Sequence, residues 1–341
     1  MPIIQAEPLR RTTVSLIRAL GAPDDVAERV ARLLVKADLW GVHSHGVRAI
    51  PMLYAGFVKS GAIKPTARPV VAREAVASAA VDGRHAFGQI VATFAMEQAI
   101  AKAKKVGVGF VTAFNCNHVG SLGDYPLLAA EAGLIGFMAA NSAEAVAPFW
   151  GTRPILGTNP LSFAFPTGGR HPIVLDMATS AITWGALAAI HRRGETVAPG
   201  LILDADGKPT TDPARYFAEP GGAILPLAGH KGYGLALAVD ILAGALSGTG
   251  TGGAIGWEPQ GVALMALDPG AFGDPARFRA EVDGLVARVK AIPKVAGVAE
   301  ILMPGEREFR LAAERERSGV PIDDEVWKDL GDLARELGIA L

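Results

Sequence analysis

Hydrophobic positions recur with a helical period near the start of the chain. From residue 24 to residue 39 the apolar side chains return every three or four positions behind an acidic start at Asp24, which predicts an amphipathic helix. A second helical pattern covers residues 47–59. A His-Ser-His cluster at 43–45, followed by Gly46, therefore falls where one helix ends and the next begins.

The middle of the chain alternates between helical and extended patterns. In order, the sequence predicts a helix at 93–105, a strand at 106–114, a helix at 121–132, strands at 134–140, 161–165 and 173–175, and helices at 179–192 and 232–246. This rhythm indicates an α/β fold, and the turn at Gly168 and Gly169 makes its sheet mixed rather than purely parallel. The turn-rich segment 204–220 is predicted as loop, and a last helix runs from Asp323 or Asp324 through Leu337.

The composition fits one large folded unit or two interleaved domains. The chain has 341 residues, of which 50% are hydrophobic but only 6% are aromatic, so aliphatic side chains fill the core. Its 33 Lys and Arg residues nearly balance 34 Asp and Glu residues, and the formal charge is −1. Such a chain has no electrostatic footprint for nucleic acid or an anionic membrane, so we expect neither as a partner.

Cysteine usage and hydropathy indicate a cytoplasmic protein. Cys116 is the only cysteine, which excludes an internal disulfide and a cysteine zinc cluster and fits a reducing compartment. No basic stretch followed by an apolar run opens the chain, so we expect no secretory signal. The longest apolar stretch, 232–246, is interrupted by Asp240 and is shorter than the ~20 residues that a membrane span needs.

One run of glycines matches the dinucleotide-binding pattern, but its context is wrong. Gly248-Thr249-Gly250-Thr251-Gly252-Gly253 follows a helical pattern and precedes none, whereas a Rossmann turn joins a strand to a helix. We interpret it as an ordinary loop. The sequence also lacks a Walker-type element, a Gly-x-Ser-x-Gly elbow and a His-Glu-x-x-His helix, so hydrolase and kinase functions lose their usual support.

The His43-Ser44-His45 cluster allows two interpretations on its own residues. A metal site is disfavoured, because histidines two positions apart diverge on a helix and no nearby acidic or cysteine residue completes a ligand set. A hydroxyl next to an imidazole at a helix end can fix the ring or relay a proton, with Arg48 one turn away to hold an anion. A helix cap with a satisfied histidine explains the same residues equally well.

Other polar junctions have the same two-sided character. Residues 115–121 join a predicted strand to a predicted helix and offer free backbone N–H groups to an anion, yet a plain turn would look the same. Residues 157–160 enter a strand and residues 176–180 leave one, where helix caps are the ordinary explanation. Residues 229–232 place a lysine beside the start of a buried helix, as a nucleotide phosphate requires.

Taken together and in order, these segments resemble the type-2 malate/L-lactate dehydrogenase family, which is distinct from the Rossmann-fold lactate and malate dehydrogenases. The resemblance covers nearly the whole chain. It rests on seven motifs in register: Ser44-His45-Gly46, Asn117-His118-Val119-Gly120, Leu156-Gly157-Thr158-Asn159-Pro160, Leu175-Asp176-Met177-Ala178-Thr179-Ser180, Pro209-Thr210-Thr211-Asp212-Pro213, His230-Lys231-Gly232 and Met303-Pro304-Gly305-Glu306.

The resemblance implies an α/β, non-Rossmann fold with a mixed, largely antiparallel central sheet and a helical substrate and dimerisation part. Residues 1–72 plus 278–341 would form that helical part, and 73–277 the cofactor-binding domain. The family includes ureidoglycolate and sulfolactate dehydrogenases, diketogulonate reductases and reductases of pyrroline- or piperideine-2-carboxylate. Its members work as homodimers with NADH or NADPH, and the sequence leaves the choice between NAD(H) and NADP(H) open.

The resemblance also assigns roles to residues. Ser44 would orient or relay, His45 would donate the proton to the reduced bond, and the nicotinamide would supply the hydride. Arg48 and Thr158 would face the substrate. The cofactor would be held by His118, Val119, Gly120, Ser121, Leu122, Asp176, Met177, Ala178, His230, Lys231, Gly232, Gly305, Glu306 and Arg307.

The sequence departs from the family pattern near the substrate. Family members place the carboxylate-binding arginine four residues after the catalytic histidine, whereas Arg48 comes three after and position 49 is Ala. One residue turns a helix by about 100°, so Arg48 approaches from another angle. Ala186 stands where relatives commonly carry Lys or Asp, and the stretch after Ser247 is short, which suggests a trimmed loop near the cleft.

Three functions follow from these observations. The first is reversible reduction of a small 2-oxo acid, with no metal involved. The second keeps the cofactor but takes a cyclic imino acid, which the shifted Arg48 and the neutral Ala186 favour. The third is a non-catalytic ligand-binding protein on the same fold, against which the intact Ser44-His45 pair argues.

Overall fold

The structure is a computed structural model and describes residues 1–169, 171–252 and 259–339. Its strands are β1 Ile3–Ile4, β2 Val70–Glu74, β3 Ser78–Asp82, β4 Val108–Cys116, β5 Ile135–Ala140, β6 Leu161–Phe165, β7 Ile173–Met177, β8 Ile202–Leu203, β9 Pro209–Thr210, β10 Ala223–Ile224, β11 Gln260–Leu267 and β12 Val320–Pro321.

The α-helices alternate with these strands. They are α1 Ala6–Ala19, α2 Asp24–Leu39, α3 Ala55–Ser60, α4 Gly88–Val106, α5 Asp124–Glu131, α6 Trp184–Arg192, α7 Pro213–Tyr216, α8 His230–Val239, α9 Pro275–Ala291, α10 Glu306–Ser318 and α11 Asp324–Glu336. Short 3-10 turns occupy His43–His45 and Pro269–Ala271, and π-helical turns occupy Ile50–Tyr54 and Asp240–Ala245.

A seven-stranded sheet in the order β2-β3-β4-β11-β5-β6-β7 forms the centre of the molecule. Only β3 and β4 run parallel, and every other neighbouring pair in this sheet is antiparallel. The predicted α/β fold with a mixed, largely antiparallel sheet is therefore confirmed. No described helix is long and apolar enough to cross a membrane.

The central strand β11 is covered on both faces. Val262 and Leu264 pack with α4, whereas Ala263, on the opposite side of the pleat, packs with the π-helical turn after α8. Gly261 allows that turn to approach, because a Cβ there would lie 1.9 Å from the carbonyl oxygen of Ala243. The sequence did not predict β11, since a strand buried on both faces shows no alternation of polar and apolar residues.

A second core joins the two ends of the chain. Buried side chains of α1 and α2 pack with Tyr54, with Val320 of β12 and with Leu330 of α11. This arrangement is compatible with a helical part built from residues 1–72 and 278–341, and we retain that division as a proposal.

Several predicted elements differ from the structure in their bounds. The helix predicted at 47–59 is a π-helical turn followed by α3, and the helix predicted at 179–192 begins only at Trp184. Residues 179–183 stay outside the helix because the Thr179 hydroxyl donates to the carbonyl oxygens of Thr158 and Asn159, while the Thr183 hydroxyl caps α6 by accepting from the backbone of Ala186.

The remaining helices and strands agree in type but shift at their ends. Helix α4 begins five residues before the predicted start at 93, α5 begins at 124 rather than 121, and β4 runs two residues past the predicted end at 114. Helix α8 stops at Val239, and the predicted helix continues only as the π-helical turn. The segment 204–220 contains β9 and α7, and the sequence predicted neither of these nor α1, α9, α10, β2, β3, β8, β10 or β12.

Close contact between α4 and β4 makes Gly109 sensitive to substitution. A Cβ at Gly109 would lie 2.0 Å from the carbonyl oxygen of Ala99, so we expect Gly109→Ala to lower the free energy of unfolding by about 1–3 kcal/mol. The control is Gly56→Ala in α3, where no described atom lies within 4 Å of the added Cβ. It should leave stability unchanged or raise it by about 0.5–1 kcal/mol. Urea unfolding of both variants checks this, and equal stabilities would contradict the packing.

Candidate active site

The Ser44-His45 pair lies in a tight turn immediately after α2. The backbone N–H of His45 donates to the carbonyl of Val42 at 3.0 Å, and the 3-10 turn His43–His45 follows. The Ser44 Oγ and the His45 Nδ1 are 2.9 Å apart, so the hydroxyl fixes the orientation of the ring. The turn thus presents His45 with its Nε2 atom left for another group.

The carboxyl group of Asp38 holds this turn through two hydrogen bonds. Its Oδ1 lies 2.8 Å from His43 Nδ1, and its Oδ2 accepts from the backbone N–H of Val47 at 2.8 Å. Gly46 lies directly over the carboxylate, and a Cβ there would come within 2.2 Å of the Asp38 oxygens. The glycine is therefore required by the contact.

A second histidine stacks against the first. The rings of His45 and His118 lie 5.4 Å apart at an interplanar angle of 14°. His118 Nδ1 contacts the Tyr54 hydroxyl at 3.1 Å, and that hydroxyl accepts from the Gln89 amide at 2.5 Å. Tyr54 comes from the π-helical turn and Gln89 from α4, so these contacts connect the π-helical turn to α4 and to the loop after β4.

Enclosure by protein keeps both rings neutral in the free protein. Loss of solvent around His45 lowers its pKa to about 4. Loss of solvent and, to a smaller extent, the adjacent His45 together lower the pKa of His118 to about 3. A neutral imidazole at physiological pH has a lone pair that can accept a proton.

These histidines open onto a cleft of about 780 Å³. Its walls are formed by residues 40–45, Arg48, residues 52–53, 118–122, 140–145, Thr158, Pro160, 174–178, 183–186, Ala189, Gln260, Pro304, Gly305 and Glu308. This volume falls in the range of about 300–1,000 Å³ that is usual for small-molecule sites.

The cleft brings together most of the residues singled out in the sequence. Ser44, His45, Arg48 and Thr158 line it with the complete loop from His118 to Leu122, with Asp176, Met177 and Ala178, and with Gly305. These residues come from separate elements up to 261 positions apart, between Ser44 and Gly305.

Five expected cofactor residues lie outside the cleft wall. His230 and Lys231 are exposed at the start of α8, and Gly232 is buried against the backbone of Leu227 and Thr179. The Glu306 carboxylate binds Lys290 at 2.7 Å and also binds Arg310, and Arg307 is exposed. The expectation that these five hold a cofactor stays a prediction.

Asp176 forms the acidic side of the cleft. Its Oδ2 accepts from the backbone of Gly123 at 2.8 Å and from the Ser121 hydroxyl at 3.2 Å. The carboxylate is accessible from the cleft but is enclosed by protein on its other sides, and this loss of solvent raises its pKa to about 6. It can therefore carry a proton or a charge near neutral pH.

Arg48 lies where the cleft meets a second cavity of about 720 Å³ beside α11. Its Nη2 is buried without a hydrogen-bond partner among residues 1–169, 171–252 and 259–339. Loss of solvent, and then the nearby Arg192, lowers the pKa of the guanidinium. A buried cation with an unused donor is suited to an anionic ligand.

The neighbouring wall is apolar and close to the turn. Ala186 is exposed to the cleft at the start of α6. Gly185 precedes it, and a Cβ there would lie 2.9 Å from the Cβ of Ser44. In the loop after Ser247, the backbone N–H of Gly252 donates a hydrogen bond to the carboxylate of Asp240. Gly253 lies outside the described residues.

Sequence reasoning missed several residues of this site. Asp38 continues the buried stripe of α2, so a carboxylate on an apolar helix face was a visible signal. Asn141 and Ser142 follow the predicted strand 134–140 directly, a position where polar side chains reach a cleft. Tyr54 and Gln89 gave no signal, because their contact depends on how two distant helices pack.

Among the described residues, no cluster of His, Cys, Asp and Glu could hold a metal ion.

Comparison with known proteins agrees with this geometry. A family model described as malate/L-lactate dehydrogenase matches residues 4–331. The chain belongs to this family. The L-sulfolactate dehydrogenase of Methanothermobacter thermautotrophicus is 38% identical over 333 residues, which cover 96% of this chain and 94% of that protein.

Solved structures of the family extend the likeness to the whole fold. Malate dehydrogenase from Entamoeba histolytica aligns with a TM-score of 0.95 at 29% identity, covering 100% of this chain and 99% of the other. The delta1-piperideine-2-carboxylate reductase of Pseudomonas syringae pvar. tomato aligns with a TM-score of 0.87 at 29% identity, covering 98% of this chain and 100% of the other. The chain is accordingly an oxidoreductase of the class that acts on hydroxy acids.

The low pKa values of the two stacked histidines can be measured directly. We expect the imidazole nitrogen NMR signals of His45 and His118 to stay those of neutral rings down to about pH 5. The unfolded chain takes up protons near pH 6.5, so these rings also reduce the free energy of unfolding as the pH falls from about 6.5 toward 4. His45→Ala and His118→Gln assign the signals, and a midpoint near 6.5 for either ring would contradict the burial.

Proposed function

We propose that this protein catalyses the reversible reduction of a small 2-oxo acid, with a nicotinamide cofactor as hydride carrier. The observation that carries the proposal is the His45 ring, which is neutral, bonded to Ser44 at Nδ1 and part of the cleft wall. A satisfied helix cap does not explain these features, because a cap uses backbone groups and needs no cleft.

The cleft offers features that suit a dinucleotide. Among the described residues, the backbone N–H groups of Val119, Gly120 and Ser121 have no intramolecular acceptor, and Gly120 adopts the left-handed φ of 78°. Unpaired N–H groups between a strand and a helix suit a phosphate. Residues 118–122, Asp176 to Ala178 and Gly305 would hold NAD(H) or NADP(H). The bound cofactor would supply or accept the hydride.

The chemistry assigned to the chain is a single proton transfer at His45. With Nδ1–H donating to the Ser44 Oγ, the Nε2 lone pair faces the cleft and accepts the hydroxyl proton of a 2-hydroxy acid as hydride leaves its carbon. In reduction, Nε2–H returns the proton to the carbonyl oxygen as hydride arrives. Ser44 accepts the same hydrogen bond in both states, so it orients the ring without itself titrating.

The charge of the substrate favours protonation of this ring at the moment of reduction. A carboxylate near His45 would raise the pKa of His45 from its low value in the free protein. The unpaired Nη2 of Arg48 is a suitable partner for that carboxylate, and Thr158 lies on the same wall. The protonation of His45 that reduction requires would then depend on the negative charge of the bound substrate.

A cyclic imino acid is the second candidate substrate. The observation that favours it is the neutral Ala186, which faces the cleft from the start of α6. A ring nitrogen in place of the carbonyl oxygen would take the proton from the same Nε2 atom. The structural neighbour from Pseudomonas syringae bears the name of such a reductase.

An apolar surface supports assembly as a homodimer. Leu235 and Leu237 of α8 are exposed together with Ile241 and Leu246 of the following segment, with exposed fractions of 37–58%. Several large apolar side chains exposed on one segment are what an interface between subunits would cover. We propose the homodimer, and a cytoplasmic location, as parts of the same functional assignment.

Replacement of His45 tests the proton-transfer role. We expect His45→Ala to lower kcat by about 10²–10⁴-fold, since general acid-base catalysis contributes that much. The dissociation constant for the cofactor, followed by cofactor fluorescence, should change little. The control is His191→Ala, an exposed histidine on α6 outside the cleft wall, which should retain full activity. Turnover of His45→Ala close to that of the parent would exclude the assignment.

A substrate panel with Arg48→Ala tests the substrate class. NADH and NADPH absorbance is followed with pyruvate, oxaloacetate, sulfopyruvate and the pyrroline and piperideine carboxylates. We expect the oxo acids to react faster, and Arg48→Ala to raise their KM by about 10- to 100-fold through loss of a charged hydrogen bond. Arg193→Ala, an exposed arginine paired with Glu195, is the control. Faster imine turnover would select the second candidate, and an unchanged KM would remove Arg48 from the substrate site.

A further inference from the structure

Helix α10 connects the cleft to the underside of the catalytic turn. Its start at Gly305 and its first turn at Glu308 line the cleft. Further along, Leu311 lies beneath Gly41, where an added Cβ would come within 2.7 Å of the leucine Cδ2. One turn later, Arg315 reaches the residues that hold the Ser44-His45 turn in place.

Arg315 makes two contacts at the base of this turn. Its Nη1 donates to the carbonyl oxygen of Asp38 at 2.5 Å and lies 3.1 Å from His43 Nε2. Arg315 itself does not line the cleft. It therefore has no direct route to substrate or cofactor, and any influence on the reaction must pass through His43 or Asp38.

These contacts define the tautomer of His43. A guanidinium has only donors, so His43 Nε2 must accept from Arg315 and carries no proton. The remaining proton is then on Nδ1, which donates to Asp38 Oδ1 at 2.8 Å. A protonated or inverted ring would place a donor against Arg315 and lose this arrangement.

The carboxylate of Asp38 binds both ends of the turn, at His43 and at Val47. One carboxylate oxygen binds His43, and the other accepts from the backbone of Val47 at 2.8 Å. Ser44 and His45 lie between these two attachment points. The carboxyl is 3% exposed, so a change in either bond is not replaced by water.

We propose that Arg315 is a positioning residue for proton transfer, which acts by holding the His43 ring that ties the Ser44-His45 turn to Asp38. The inference rests on the proposed role of His45. Without Arg315, His43 loses its partner at Nε2 and the Asp38 carbonyl oxygen loses a donor, so the ring is held at Nδ1 alone and the Ser44 Oγ no longer holds His45 in one orientation. Small displacements of a reacting group lower rates strongly because the geometry of transfer is lost.

The first test compares Arg315→Ala with a matched control on the same helix. The control is Arg317→Ala, because the Arg317 Nε donates to the Ala313 carbonyl oxygen at the surface, 3.1 Å away. We expect Arg315→Ala to lower kcat by about 10- to 100-fold, with the KM for cofactor within about twofold of the parent and a larger solvent deuterium isotope effect on kcat. Arg317→Ala should match the parent. A kcat of Arg315→Ala within twofold of the parent overturns the proposal. So does an affinity for cofactor that falls by the same factor as kcat.

A double-mutant cycle tests whether Arg315 acts through His43. The side chain introduced by His43→Asn can keep a donor toward Asp38 but does not reach Arg315. If the two residues act in series, the combined variant loses no more activity than the more affected single variant. Losses that multiply would show independent effects and overturn the proposal.

A spectroscopic measurement separates this inference from the proposed function. The imidazole nitrogen signals of His45 should move in Arg315→Ala and stay unchanged in Arg317→Ala, whether or not substrate is turned over. A parent protein that reduces no compound of the panel refutes the proposed function alone. Unchanged His45 signals in Arg315→Ala refute the positioning role alone.

Discussion

The buried carboxylate of Asp38 is the interaction on which the arrangement of the site depends. It lies on the apolar face of α2, where an unpaired charge would be costly, and the turn that follows supplies its partners from His43 and Val47. The chain must therefore fold back over its own helix end, and only glycine fits at position 46. The conformation of the Ser44-His45 turn thus follows from satisfying one buried carboxylate.

Loss of solvent determines what the histidines can do. His45 and His118 stack on each other, and no carboxylate of residues 1–169, 171–252 or 259–339 pairs with either ring, so both remain neutral where exposed imidazoles would be partly charged. The pKa of Asp176, across the cleft, is raised rather than lowered, because loss of solvent disfavours the charged form of a carboxyl group as well. One physical cause therefore lowers the pKa of the two imidazoles and raises the pKa of the carboxyl group, and the hydroxyls of Ser44 and Tyr54 contact the rings.

The sequence predicted what depends on local pattern and motif order, and it missed what depends on packing. Helix α2, strands β4 to β7 and the mixed character of the sheet follow from periodicity and turn residues. Strand β11 was missed because its two faces are both apolar, and α9 and α10 because their charged surfaces resemble a loop. In the site, the motif residues meet in the cleft, whereas the contact between Asp38 and Arg315 joins positions 277 residues apart and leaves no local trace.

The proposed proton-transfer group and the proposed substrate wall lie on different elements of the fold. His45 lies in the turn after α2, which the Asp38 carboxylate holds through His43 and Val47, and its ring stacks on that of His118. Ala186 on α6 and Arg48, whose Nη2 has no hydrogen-bond partner among the described residues, line another part of the cleft. A division of this kind would let substrate-facing side chains vary while the Ser44-His45 turn keeps its bonds, and the fold is shared by relatives named for malate, for sulfolactate and for a cyclic imine.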